Sequence, residues 1–123
     1  MPNQLAAALK ERTMRFALQI MRFCKTLPDS WEACFVADQL FRAGARTGAN
    51  YRAACRARSQ RDFVNKMGSV VEESDESLFW LEFVGRAGMN DTAEQRELLR
   101  EADELVAIFT SSAKTASENL NRQ

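Results

Sequence analysis

Six arginines, at positions 42, 46, 52, 56, 58 and 61, are the residues of this chain whose type and spacing best suit chemistry with another molecule. A guanidinium group keeps its charge and presents a planar fork of donors that fits a carboxylate or a phosphate with paired hydrogen bonds. At helical spacing Arg42, Arg46, Arg52 and Arg56 project within about 120° of one another. Two destinations are open to them. The following helix carries Glu72, Glu73, Asp75 and Glu76, and running back antiparallel it brings Arg46 level with Glu73 and Arg42 with Glu76, an ion-pair network within a subunit or across an interface. Alternatively Arg52, Arg56, Arg58, Arg61 and Lys66, with only Asp62 as a nearby opposing charge in sequence, form a phosphate-binding patch at a helix corner. Tyr51 stands beside them, as a stacking surface or as a core residue.

Other chemistry is argued against. The chain has no histidine, which removes Ser-His-Asp and Cys-His catalysis, imidazole proton transfer and every His-ligated metal site. A dimetal bundle site would need Glu-x-x-His on facing helices, and Glu73-x-x-Glu76 lacks the imidazole and lies off the core face. No phosphate-cradling or nucleophile-elbow glycine pattern is present. Cys24, Cys34 and Cys55 are odd in number and form no C-x-x-C pair, so they read as free thiols of a reducing compartment. No enzymatic activity, cofactor, metal or small-molecule substrate is expected.

The elements that must position the arginines are helices. Apolar residues recur at helical spacing in four segments: Leu5, Leu9, Phe16, Ile20, Phe23 and Leu27; then Val36, Leu40, Thr47, Tyr51 and Ala54. The third segment has Phe63, Met67, Val70, Val71, Ser74, Leu78 and Leu81, and the fourth Leu98, Ala102, Leu105, Phe109, Ala113, Ala116 and Leu120. Pro28 ends the first helix, and Asp29 with Glu32 offers a cap for the second. Ser59 with Asp62 caps the third, Gly88 closes it in a left-handed turn, and Asp91 with Glu94 or Thr92 with Gln95 starts the fourth. These signals predict an all-α, up-down-up-down antiparallel four-helix bundle filling residues 1–123 as one domain, with helices near 5–26, 30–58, 60–87 and 92–119 and a frayed SENLNRQ tail.

Charge is balanced at 17 basic and 17 acidic residues, yet the chain up to Lys66 carries 12 basic against 5 acidic. The two halves either neutralise each other across helix contacts or leave faces of opposite sign. No apolar run is long enough for a membrane span, and a cytoplasmic location is the simplest expectation.

Two features ask for close contacts. Ala37, Gly44, Gly48 and Cys55 fall on one stripe of the second helix, and a glycine costs about 1 kcal/mol relative to alanine in a helix interior. Close approach of another helix would offset that cost. Phe79, Trp80 and Phe83 lie away from the core face of the third helix, as Met14, Leu18 and Met21 do on the first. A contiguous apolar surface of this kind predicts self-association.

Three stretches carry a family resemblance. QLFRAGARTGANYRAA, from Gln39 to Ala54, resembles a Gln-Leu-x-Arg pattern ending in Asn, matched at Gln39, Leu40, Arg42 and Asn50. RSQRDF resembles a Ser-x-x-Asp-Phe corner at Ser59, Asp62 and Phe63, and EESDESLFWLE matches Glu73, Glu76, Ser77, Phe79, Trp80 and Leu81. Over most of residues 10–110 the chain resembles the four-helix-bundle proteins of 23S rRNA intervening sequences, also called S23-type ribosomal proteins. It departs from them at Ala43, where serine is common, and at Ala53, where glutamate is common, which argues against a fixed polar constellation around Asn50. The resemblance implies a bundle without known enzymatic activity that assembles as a ring-shaped homopentamer. A related bundle, the accessory protein of diversity-generating retroelements, is a basic pentameric ring that engages a reverse transcriptase and nucleic acid. The expectation is therefore a homo-oligomeric assembly or adaptor protein, with RNA or a nucleic-acid-associated protein contacted through the arginine corner. The alternative is a purely structural protein–protein module, without nucleic-acid binding, whose arginines are used in interhelical and intersubunit ion pairs.

Overall fold

The computed structural model describes residues 3 to 122 and consists of α1 (Asn3–Cys24), α2 (Trp31–Cys55), α3 (Gln60–Arg86) and α4 (Ala93–Asn121). No strand occurs among the described residues. The helices run up, down, up and down, each packed on its neighbour in sequence, with α4 returning to α1 to close the bundle. At 1.5 Å per residue the longest helix, α4, spans about 43 Å.

Local chemistry sets the ends. α1 stops at Cys24, and its last carbonyls are taken by tightened turns from Lys25, Thr26 and Leu27 before Pro28. Ser30, rather than Asp29, is the cap of α2: its hydroxyl accepts from the Ala33 amide at 3.2 Å. Ser59 caps α3 by accepting from the Asp62 amide at 3.0 Å, and Thr92 caps α4 by accepting from Gln95. Gly88 takes φ 73°, so that its own amide reaches Gly85 and the Met89 amide reaches the Val84 carbonyl, closing α3 in a left-handed turn. The tail does not leave the helix where SENLNRQ was expected to fray. α4 continues to Asn121, and Gln60 Nε2 ties the Ala116 carbonyl to the head of α3 at 3.2 Å.

The predicted faces meet in one core built from Phe16, Ile20 and Phe23 of α1, Val36 and Leu40 of α2, Met67, Val70 and Leu81 of α3, and Leu105 and Phe109 of α4. Tyr51 belongs to it, its ring 5.1 Å from that of Phe109. Leu5 does not: it is 70% exposed, on the wall of an open groove between α1 and α4. Polar residues are buried too, Thr47 on the predicted stripe and Thr13, Ser77 and Gln95 outside the predicted ones. Thr13, Thr47 and Ser77 each return the hydroxyl to a carbonyl one turn back, and Gln95 donates to the Leu81 carbonyl at 2.8 Å.

The two seams of α1 differ. Against α2 the backbones are close: a Cβ added at Gly44 would stand 3.1 Å from Ile20 Cγ1, and one at Gly48 3.3 Å from the Thr13 carbonyl oxygen. The Cys24 thiol reaches the Ala37 carbonyl at 3.5 Å, which carries the same contact along the small-residue stripe; Cys55, at its far end, is exposed. Against α4 the contact is thinner and polar. Arg12 grips Glu101 with two hydrogen bonds of 2.7 Å and reaches Glu104 at 3.0 Å.

Candidate nucleic-acid interface and exposed apolar faces

The α2–α3 corner is made by the end of one helix and the capped start of the next. Arg52 lies in the last turn of α2 and Arg56 at its C-cap, where the partial negative charge of the helix end favours cations. Ser59 then restarts the chain as α3, which places Arg58 and Arg61 on either side of the turn. Asp62 is the acid of this corner. It accepts from Lys66 Nζ at 2.6 Å and from the Arg58 amide at 3.2 Å, and the lysine first, then the amide, hold its carboxyl below the usual range. Lys66 is thereby neutralised locally. No ion pair among the described residues involves Arg52, Arg56, Arg58 or Arg61. Arg52 and Arg56 instead frame, with Lys10 and the acid Glu11, an open recess between α1 and α2.

The expected ion-pair network is replaced by a different arrangement within the chain. Arg42 turns to Asp38, one turn back on its own helix, at 3.0 Å, and not across to Glu76. Arg46 lies near enough to Glu73 to favour its ionised form, but no ion pair joins them among the described residues. Burial, then the neighbouring Glu76, pushes the Glu73 carboxyl above its ordinary value despite Arg46. Glu76 itself accepts from Trp80 Nε1 at 3.4 Å. Asp38, one turn away on the same helix, satisfies Arg42, and aromatic rings take another part of the α2–α3 seam: Phe35 meets Trp80 edge to face at 5.9 Å.

Those rings extend into an exposed ridge. Trp80 lies 4.9 Å from Phe79 and 5.4 Å from Phe83, and Phe79 is 56% and Phe35 54% exposed. Trp31, one turn before Phe35, is 84% exposed. Met14 and Leu18 are exposed and Met21 half-buried on α1, and Met14 overlooks a separate recess floored by Ala17, Ala45 and Ala49, with Phe41 exposed nearby on α2. The apolar residues expected to form one interface thus lie on two faces, α2–α3 and α1–α2. Trp31, Phe35 and Phe41 had escaped the sequence reading. The signal that could have found them is Trp31-x-x-x-Phe35, a one-turn aromatic pair off the core stripe of α2.

Charge is segregated by the bundle as well as by the chain. Antiparallel packing gathers residues 3–11, 46–69 and 107–122 at the corner end, with nine basic and three acidic side chains; the rest of the chain holds eight basic and fourteen acidic. Among the described residues no group of Cys, Asp and Glu could hold a metal ion, and no helix is long and apolar enough to cross a membrane.

Fold and surface define a helical bundle with a sealed interior and its distinguishing chemistry outside: a cationic corner, an aromatic ridge and polar opposition of its two ends. The chain belongs to the family of 23S rRNA-intervening sequence proteins, whose model matches residues 7–111. It is similar to a solved structure from Bacteroides thetaiotaomicron, a protein of unknown function from the S23 ribosomal protein family. The two share 28% identity and a TM-score of 0.78 over 85% of this chain and 97% of that one. The curated proteins contain no match. Neither similarity names an enzymatic activity.

Proposed function

We propose that this protein is a non-catalytic, self-associating adaptor, a pentamer in the form the family resemblance implies, that contacts RNA through Arg52, Arg56, Arg58 and Arg61. The observation that carries the reading is that these four guanidinium groups stand at one corner without an ion pair among the described residues. Such groups release condensed counterions when they meet phosphates, which provides affinity even where net charge is zero. The aromatic ridge supports the self-association, since a surface of Phe35, Phe79, Trp80 and Phe83 gains by leaving water. The alternative, a protein–protein module whose arginines pair within and between subunits, would need partners for these four from a neighbouring subunit, since none pairs within the chain among the described residues.

The test compares binding of a structured RNA by the protein and by a variant with Arg52, Arg56, Arg58 and Arg61 all changed to glutamine. Loss of binding with unchanged helicity is expected. Retained binding would remove the corner from the reading. Trp80→Ala is expected to lower the mass in solution toward that of a monomer, and an unchanged mass would remove the ridge as the interface.

A further inference from the structure

Beside the corner, between the N-terminal half of α1 and the C-terminal half of α4, lies an open groove of about 830 Å³. α1 meets α4 far less extensively than it meets α2, whose Gly44 and Gly48 admit it closely, and the groove lies open below the Arg12 clamp. Its two banks differ in chemistry. Leu5 and Leu9 form the α1 side, while Ser111, Ser112, Thr115 and Asn119 bring a ladder of hydroxyls and an amide along α4. Tyr51 and Phe63 lie at its base. Gln60 stands at the corner end, and with its Nε2 given to the Ala116 carbonyl its Oε1 remains to accept.

No charged side chain lines this groove. The cations lie outside it: Arg58 and Arg61 flank Gln60 in sequence, and exposed Lys114 precedes Thr115 on the far bank, against two acids, Glu118 and the Asp62 that Lys66 holds. A ligand that fits must be anionic where it crosses the rim and neutral, flat and edge-polar where it enters. An unpaired nucleotide has that division, with a phosphate outside and a base whose face stacks and whose edge hydrogen-bonds. A duplex keeps its bases stacked inward and offers nothing to a neutral groove.

We infer that the α1–α4 groove receives an unpaired base of single-stranded RNA whose phosphates lie on the Arg58 and Arg61 rim. The inference rests on the proposed RNA contact at the corner and deepens it: the corner supplies attraction, and the groove supplies preference for unpaired strands. Free volume of this size lies within the range of about 300–1,000 Å³ found for small-molecule sites.

The experiment measures binding of oligouridylate, of the same strand annealed to oligoadenylate, and of a DNA strand of equivalent sequence. Three proteins are compared: the natural chain, Ser111→Trp, and Arg58→Gln with Arg61→Gln. Ser111 is exposed on the groove bank, so the tryptophan fills the groove without burdening the core. The natural protein should prefer the single RNA strand to the duplex and to DNA. Ser111→Trp should weaken single-strand binding by about tenfold, the scale of one lost base stack, and leave duplex binding unchanged. The double arginine variant should weaken both. Equal binding of strand, duplex and DNA, or an unaffected Ser111→Trp protein, would overturn the groove while leaving the corner in place. Absence of RNA binding by the natural chain would overturn both. A change of solution mass in Ser111→Trp would give the groove to a second copy of the chain and overturn the inference.

Discussion

The two seams of α1 teach how the molecule divides stability from surface chemistry. Against α2, glycines at 44 and 48 let backbone approach side chain and backbone, and α1 is held by packing. Against α4, one arginine holding two glutamates does the same task, and beyond it the helices part to leave the groove that Leu5 overlooks. A seam closed by small residues brings two helices together, with recesses at Met14 and Lys10 beside the contact. A seam closed at one point by a charged clamp leaves the remainder open to a ligand.

The comparison can be broken most strongly on the sealed side. Gly48→Leu places a side chain where a Cβ alone would meet the Thr13 carbonyl oxygen at 3.3 Å, and overpacking of this kind costs about 1–3 kcal/mol in chemical unfolding. Unaltered stability would mean that α1 and α2 can separate freely there. On the other seam, Arg12→Ala removes two short hydrogen bonds to Glu101 from a partly buried pair. It should cost about 1 kcal/mol, with faster amide exchange in the first turns of α1 as the specific readout. Exchange confined to α3 would contradict the clamp. Leu5→Ala sharpens the contrast from the opposite direction: a leucine in register with the core stripe but 70% exposed should change stability by no more than about 0.5 kcal/mol.

The α2–α3 seam provides a titrating control. Glu73 has its folded-state pKa raised by burial and by Glu76, so the folded state binds its proton more tightly than the unfolded chain does. Its ionisation therefore lowers stability as pH rises through the window just above the ordinary carboxylate value. Glu73→Gln should give a small gain in Tm at neutral pH that vanishes below that window. A loss at neutral pH would mean that Arg46 outweighs burial, and the ion-pair reading would return.

Much of this was legible in the chain. The four helical periods, the Ser59 and Thr92 caps and the Gly88 turn depend on neighbours within a few residues, and such signals survive in sequence. Buried Thr13, Ser77 and Gln95 were not legible, because each is satisfied by a backbone carbonyl that no pattern advertises. Arg42 misled for a related reason: Asp38, one turn away on its own helix, competes with any partner across a seam. The cluster at Arg52, Arg56, Arg58 and Arg61 could be seen as a run of charge, but the lack of partners for those four required the fold. The α1–α4 groove was invisible, since it follows from how whole helices pack and not from any one residue in its walls.

One measurement tests the central claim most directly: the salt dependence of RNA affinity from about 50 to 200 mM, for the natural protein and for the variant with all four corner arginines changed to glutamine. If the four contact phosphates of an unpaired strand, the slope of log affinity against log salt should fall by about 3 in the variant, at roughly 0.7 per contact. An equal slope in both proteins, or no affinity at the low-salt end, would contradict the assignment of this corner to RNA.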